Sequence, residues 1–142
     1  MSRETAIENA LASFDDGEYL EILGRRVAVP TESQNPDRLP DLRRYLDEEI
    51  VPAFEAMDHR CTIYDNPIAG GGPVLLAERI EDPDLPTVMG YGHGDVILGY
   101  ADQWYEGLDP WVTTQRGDRL YGRGTADNKG QHTVNMCAMA AA

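Results

Sequence analysis

Gly92-His93-Gly94-Asp95-Val96 places an imidazole two residues before a carboxylate, at the end of an apolar run. The later run Tyr121-Gly122-Arg123-Gly124-Thr125-Ala126-Asp127-Asn128-Lys129-Gly130 sets a second carboxylate in a glycine-rich turn ahead of a helical pattern. His and Asp are ligand types that zinc and similar divalent ions select. Side chains of an extended segment alternate, so His93 and Asp95 share a face. Two uses of that face are open. Both side chains could hold one ion, or His93 could hold it while Asp95 accepts the other ring N–H or stands near a catalytic base. Asp127 follows His93 by 34 residues (127 minus 93). Gly122, Gly124 and Gly130 allow backbone conformations that bring a carboxylate into a cavity. Such a carboxylate can bridge two ions roughly 3.5–4 Å apart.

Each residue also has an ordinary reading. His93 and Asp95 could be a hydrogen-bonded pair, and Asp127 a helix cap, a position that favours Asp and Asn. Gly122-Arg123-Gly124 lacks the spacing of a dinucleotide fingerprint and is not a P-loop. His132 is a ligand by residue type, but reads rather as a helix-surface residue or a support behind the ligands. Trp104 and Trp111 could wall a substrate pocket or pack beneath a loop.

The elements that must position these residues are read from periodicity. Ile7, Ala10, Leu11 and Phe14 give the spacing of an amphipathic helix over 5–14, and Leu20, Ile22, Leu23 and Val27 one over 19–29 stopped by Pro30. After the polar loop 31–36, a longer helix is expected over 37–57, kinked or shortened at Pro52. The period then changes. Short strands are expected at 61–64, 74–80, 87–91 and 119–121, separated by Gly- and Pro-rich turns. A long connection runs from Leu98 to Asp118. A final helix from Lys129 carries Val134, Cys137, Ala138 and Ala141 and is apolar nearly all round, the pattern of a helix buried in a larger body. Helices followed by short apolar strands imply an α/β layered domain with a mixed sheet.

Composition narrows the partners. The chain has 142 residues and a net charge of -13, from 12 basic and 25 acidic side chains. A protein that binds nucleic acid needs a basic footprint, so no nucleic-acid partner is expected, and an anionic membrane surface is excluded likewise. No apolar run reaches the length of a membrane span. The first residues show no targeting segment, which implies a cytoplasmic protein. Cys61 and Cys137 form no metal-type pair and read as free, buried thiols.

Taken together, Gly92-His93-Gly94-Asp95-Val96, the spacing to Asp109-Pro110-Trp111 and the run Leu120 to Gly130 resemble the co-catalytic zinc amidohydrolases. These include aminoacylase, acetylornithine deacetylase, succinyl-diaminopimelate desuccinylase, carnosine-type dipeptidases and glutamate carboxypeptidases. Val29-Pro30-Thr31-Glu32-Ser33 is similar to the family's N-terminal helix–loop signature. The resemblance implies that His93 is a ligand of one zinc and that Asp127 bridges two. It implies a cis peptide between Asp127 and Asn128. Asp95 would support the His ligand and contribute to catalysis, with the residue between His93 and Asp95 free to vary. Asn128 stands where many members have a second Asp.

The family's general-base glutamate, its remaining ligands and its dimerisation domain follow this point and are not in residues 1–142. The resemblance therefore implies that the chain is the N-terminal portion of a zinc-peptidase catalytic domain. The complete enzyme would be a homodimer with two zinc ions, or manganese or cobalt in their place. It would hydrolyse an amide or peptide bond in a small peptide or N-acyl amino acid. The 142 residues alone are expected to be inactive. The alternative is a truncated, non-catalytic homologue acting as a binding or assembly module.

Overall fold

The computed structural model describes residues 2–142. Helix α1 (Arg3–Asp15) begins where the Ser2 hydroxyl accepts the amide of Thr5 at 3.2 Å, satisfying one of the amides that a helix start leaves unpaired. Gly17, at φ +85°, turns the chain through the left-handed region into α2 (Glu18–Ala28). Leu23, Arg26 and Val27 are the buried residues of α2, the three-and-four spacing of an inward face. The stripe expected on α1 packs less well. Ile7, Leu11 and Phe14 stay about half exposed, and α1 buries no residue. It rests on its neighbours through the Phe14–Tyr19 ring contact and a bond from the Asn9 amide to the Ala141 carbonyl.

The single long helix expected over 37–57 is instead a broken series. A 3-10 turn at Pro36–Arg38, started by Asn35 accepting the Asp37 amide, leads into α3 (Leu39–Tyr45). A wide π turn at Leu46–Ile50 then leads into α4 (Val51–Glu55). Pro52 explains the break. It has no amide to donate, and its ring crowds the carbonyl four residues back, so the preceding turn widens. The bend leaves Tyr45 and Ile50 inside, where they pack with Val29 and Met136.

Two antiparallel pairs follow. β1 (Arg60–Tyr64) pairs with β2 (Val74–Glu78), with Arg60 opposite Glu78 and Tyr64 opposite Val74. β3 (Thr114–Arg116) and β4 (Arg119–Tyr121) form a hairpin turning at Gly117. β3 lies inside the connection that showed no period in the sequence. The strand expected at 87–91 does not form: among the described residues it has no ladder partner, and Val88, Met89 and Tyr91 are exposed. The chain joins a neighbour only further on, where Val96 makes a parallel bridge with Glu32. The architecture is α/β, with two antiparallel pairs and that one parallel bridge in place of a continuous mixed sheet.

Helix α5 (Lys129–Ala140) departs from its sequence reading in its orientation. Lys129, Gly130, His132, Thr133 and Met136 face inward, while Val134 is about half exposed. The polar face goes inside because each of its polar groups finds a partner there, as shown below. Cys61 and Cys137 are free and half-buried, and burial raises both thiols above their ordinary range. No helix among the described residues is long and apolar enough to cross a membrane.

One glycine shows how tightly these pieces meet. A Cβ on Gly94 would lie 2.3 Å from Cε1 of the buried Tyr45 ring. Position 94 is therefore not free in this chain, contrary to the pattern of the family it resembles. We expect Gly94→Ala to cost about 1–3 kcal/mol by overpacking. Gly24→Ala, on α2 with open space around its Cβ, should be neutral or stabilising. Urea denaturation of both variants checks this, and equal midpoints would contradict it.

Candidate metal centre

The loop after α2 holds the segment that carries His93. The Val96 amide donates to the Thr31 carbonyl at 2.8 Å and the Ser33 amide to the Val96 carbonyl at 3.1 Å. The Thr31 hydroxyl, fully buried, donates to the Gly94 carbonyl at 2.5 Å. Glu32 accepts the Gly99 amide at 2.6 Å. Thr31-Glu32-Ser33 thus clamps residues 94–99 at several points, which gives the helix–loop signature a structural role.

Within that segment His93 is held at both ring nitrogens. Nδ1 lies 3.1 Å from Asp95 Oδ1 and 3.2 Å from the Asp95 carbonyl. Nε2 lies 3.1 Å from Asp127 Oδ1. A carboxylate and a carbonyl can only accept, so Nδ1 carries a proton and donates to Asp95. The imidazole and the two carboxylates converge although 34 residues separate His93 from Asp127. The site opens outward: the His93 side chain is 35% exposed, that of Asp95 44% and that of Asp127 85%.

The turn that presents Asp127 is fixed from several sides. The Arg123 amide donates to the Pro110 carbonyl, and the Gly130 amide to the Gly124 carbonyl at 3.0 Å. A Cβ on Gly130 would fall 1.8 Å from the Thr125 carbonyl oxygen, so only glycine lets α5 start against this turn. The Asp127–Asn128 peptide is cis, as the resemblance implied. Asp127 is not a helix cap. It points into solvent beside His93, and the residue preceding α5 is Asn128, whose side chain makes no capping bond.

Behind the open face lies a buried cationic layer that the sequence reading missed. Lys129 is fully buried, donates to the Val29 carbonyl at 2.6 Å and sits 5.0 Å from the centre of the Tyr45 ring. Burial pushes its ammonium down to about 7, against the weaker pull of Asp41 and Asp95. Arg26 donates to the Thr133 hydroxyl at 2.7 Å, and Thr133 in turn donates to the Lys129 carbonyl at 2.6 Å. His132, read as a surface or supporting residue, is buried, with Nε2 2.6 Å from the Tyr45 hydroxyl and Nδ1 3.3 Å from Asn128 Oδ1. Its four-residue spacing from Asn128 was the available signal, since such residues share a helix face. Nothing in the periodicity marks Lys129 or Arg26.

Trp104 and Trp111 pack in the loop. Arg123 stacks over the Trp104 ring, whose Nε1 donates to the Gly99 carbonyl. Trp111 helps to line an open groove of about 480 Å³, and Trp104 one of about 280 Å³; His93, Asp95 and Asp127 line neither.

The spacing of His93 and Asp127 is compatible with a hydrogen bond and equally with two ligands of one ion. Two ligands about 2.0–2.1 Å from a tetrahedral ion stand roughly 3.3 Å apart, close to the 3.1 Å between His93 Nε2 and Asp127 Oδ1. Nε2 also faces a carboxylate oxygen, so either a second ring proton or a cation must lie between His93 Nε2 and Asp127 Oδ1; with a cation there and Nδ1 donating to Asp95, the ring has the arrangement a ligating His takes. The donors fit zinc and similar ions. They do not complete a set: among the described residues no group of three or more His, Cys, Asp or Glu side chains could hold a metal.

The buried imidazole sets a pH dependence. Burial, then Arg26 and Lys129, push the His132 pKa from 6.5 down to about 4. Between those values the unfolded chain binds more protons than the folded one, so this contribution to stability is present above pH 6.5 and is lost as pH falls through about 4. We expect the stability difference between wild type and His132→Gln to shift against wild type between pH 7 and 4.5, read from urea midpoints. A constant difference would contradict it.

No protein-family model matches the chain. Among curated proteins it is 33% identical over 124 residues to the Beta-Ala-His dipeptidase of Mus musculus, covering 80% of this chain and 25% of that protein. It is 28% identical over 124 residues to a probable succinyl-diaminopimelate desuccinylase of Staphylococcus aureus, covering 84% of this chain and 26% of that protein. The crystal structure of human carnosine dipeptidase 1 superimposes with a TM-score of 0.84 at 30% identity, over 97% of this chain and 30% of that one. The dipeptidase Dug1p of Saccharomyces cerevisiae shares the fold, with a TM-score of 0.77 at 19% identity over 97% of this chain and 30% of its own. The chain spans about a quarter of the length of the curated relatives it matches. It belongs to the metallopeptidase family of carnosine-type dipeptidases and succinyl-diaminopimelate desuccinylases, whose N-terminal portion it matches.

Proposed function

We propose that this chain supplies one part of the active site of a metal-dependent hydrolase that cleaves the amide bond of a dipeptide. The observation that carries the reading is the approach of His93 Nε2 to Asp127 Oδ1 at 3.1 Å, with Asp95 at the other ring nitrogen. His93 and Asp127 would be metal ligands, and the second carboxylate oxygen of Asp127 leaves it able to bridge to a second ion. Zinc is the proposed metal, with manganese and cobalt accepting the same donors. When bound, the ions supply Lewis-acid activation of water and of the scissile carbonyl.

The residues of this chain do the positioning. Asp95 holds the His93 ring so that Nε2 faces Asp127. Its partial exposure leaves it within reach of an approaching substrate. The Thr31 clamp fixes the backbone beneath His93, and the close start of α5 on Thr125 fixes the backbone beneath Asp127. The dipeptide class is supported by the two dipeptidase structures and by the higher identity to the dipeptidase than to the desuccinylase. Catalytic zinc sites take three protein ligands and an open position. Two ligands cannot close one, so the 142 residues alone are proposed to be inactive, as the N-terminal portion of a larger catalytic domain.

Two assays test the reading. The full-length parent protein should hydrolyse β-Ala-His or related dipeptides, lose that activity on chelation and regain it with zinc. In it His93→Ala and Asp127→Ala should abolish turnover, while Asp95→Asn should lower kcat by about 10-fold or more with the metal still bound. Full activity of the His93→Ala protein would refute the ligand role. In the second assay the 142-residue chain should show no turnover, and zinc-dependent hydrolysis by it that His93→Ala removes would overturn the partial-site reading.

A further inference from the structure

We infer that Tyr45, His132 and Asn128 form a one-directional hydrogen-bond relay that positions His93 against Asp127. It rests on the reading of those two residues as ligands. The polarity of the relay follows from one fixed donor. The His93 main-chain N–H can only donate, and it lies 3.2 Å from Asn128 Oδ1. The oxygen of that amide, not its nitrogen, therefore faces His93. The same oxygen lies 3.3 Å from His132 Nδ1, so Nδ1 must carry the ring proton. The neutral ring then offers only a lone pair at Nε2, and the Tyr45 hydroxyl, 2.6 Å away, must donate to it. The nitrogen end of the Asn128 amide agrees with this assignment, since it donates to Gln131 Oε1 at 2.5 Å.

Every link after His93 is buried: Tyr45 is 1% exposed, Asn128 7% and His132 9%. Burial first, and then the neighbouring Arg26, Lys129 and His93, favour the neutral ring that the relay requires. Its reach explains two close approaches. A Cβ on Gly92 would lie 2.7 Å from His132 Cβ, and one on Gly94 would meet the Tyr45 ring. The segment bearing His93 thus lies directly on two members of the relay. Asn128 also follows Asp127 in the chain, so one amide oxygen ties the main chain of one ligand to the turn that presents the other. Tyr45, His132 and Asn128 are positioning residues: among the described residues, the side-chain hydrogen bonds of the His93 ring and the Asp127 carboxylate go to each other and to Asp95.

The test uses the 142-residue chain with ¹⁵N-labelled histidine and zinc as the probe. In wild type the His132 ring should be protonated at Nδ1 and bare at Nε2 near neutral pH. His132→Leu removes both links. It should speed exchange of the His93 amide proton and weaken zinc binding by about 10–100-fold, the usual effect of losing a support behind a ligand. His132→Gln, which can still donate to Asn128 and accept from Tyr45, should restore most of both. A wild-type ring protonated at Nε2 would overturn the relay, as would His132→Leu with unchanged amide exchange and zinc affinity. The tautomer decides the matter even if His132→Leu fails to fold. If zinc leaves the His93 ring signals of wild type unmoved, the metal reading fails, and the tautomer and amide exchange then judge the relay on their own.

Discussion

The structure turns on the junction at Asn128 Oδ1, where the His93 amide and the His132 ring meet one carbonyl oxygen. Three separate parts of the chain come together there: the end of α3 through Tyr45, the start of α5, and the extended segment 92–96. None of these parts buries enough apolar surface alone to hold a geometry at the scale of an ångström. An apolar contact tolerates sliding, whereas a hydrogen bond to a fixed oxygen does not, because its strength falls steeply with angle and distance. The open face can therefore remain solvated while its backbone supports are fixed from behind.

That arrangement has a cost. The interior beneath the site holds Arg26 and Lys129 beside the neutral His132 ring, and the hydrogen bonds of both basic side chains go to a carbonyl, a hydroxyl and a thioether in place of a carboxylate. Burying cations is unfavourable unless they are bonded, and each one here finds neutral oxygen or a ring. Lys129 donates to the Val29 carbonyl and lies over Tyr45, while Arg26 reaches Thr133 and the Met136 sulfur. Arg26 Nε is left without a partner. These bonds join α2 and the residue that follows it to α5 across 100 to 110 residues of sequence, and they explain why α5 turns its polar face inward.

Much of this was legible in the sequence, for identifiable reasons. The types and order of His93, Asp95 and Asp127 carried the convergence that the structure shows, because the Gly-rich turn and the alternation of an extended segment dictate where those side chains can go. The α2 stripe, the β1–β2 pair and the effect of Pro52 were legible because each depends on local spacing. The strand at 87–91 was not, since an apolar run reveals a propensity but not whether a partner lies beside it. The inward face of α5 was misread because Val134 and Ala138 are more apolar than Lys129 and His132. Periodicity counts hydrophobicity and is blind to a buried lysine with a carbonyl waiting for it. Gly94 was likewise read as free, since the constraint on it comes from Tyr45, 49 residues earlier (94 minus 45).

The most direct measurement is a crystal structure of this chain grown with zinc, with anomalous data collected at the zinc edge. An anomalous peak is expected within about 2.0–2.2 Å of both His93 Nε2 and Asp127 Oδ1, with Asp95 still bonded to His93 Nδ1. Ordered density for both side chains with zinc elsewhere, or with no peak between them at saturating zinc, would contradict it.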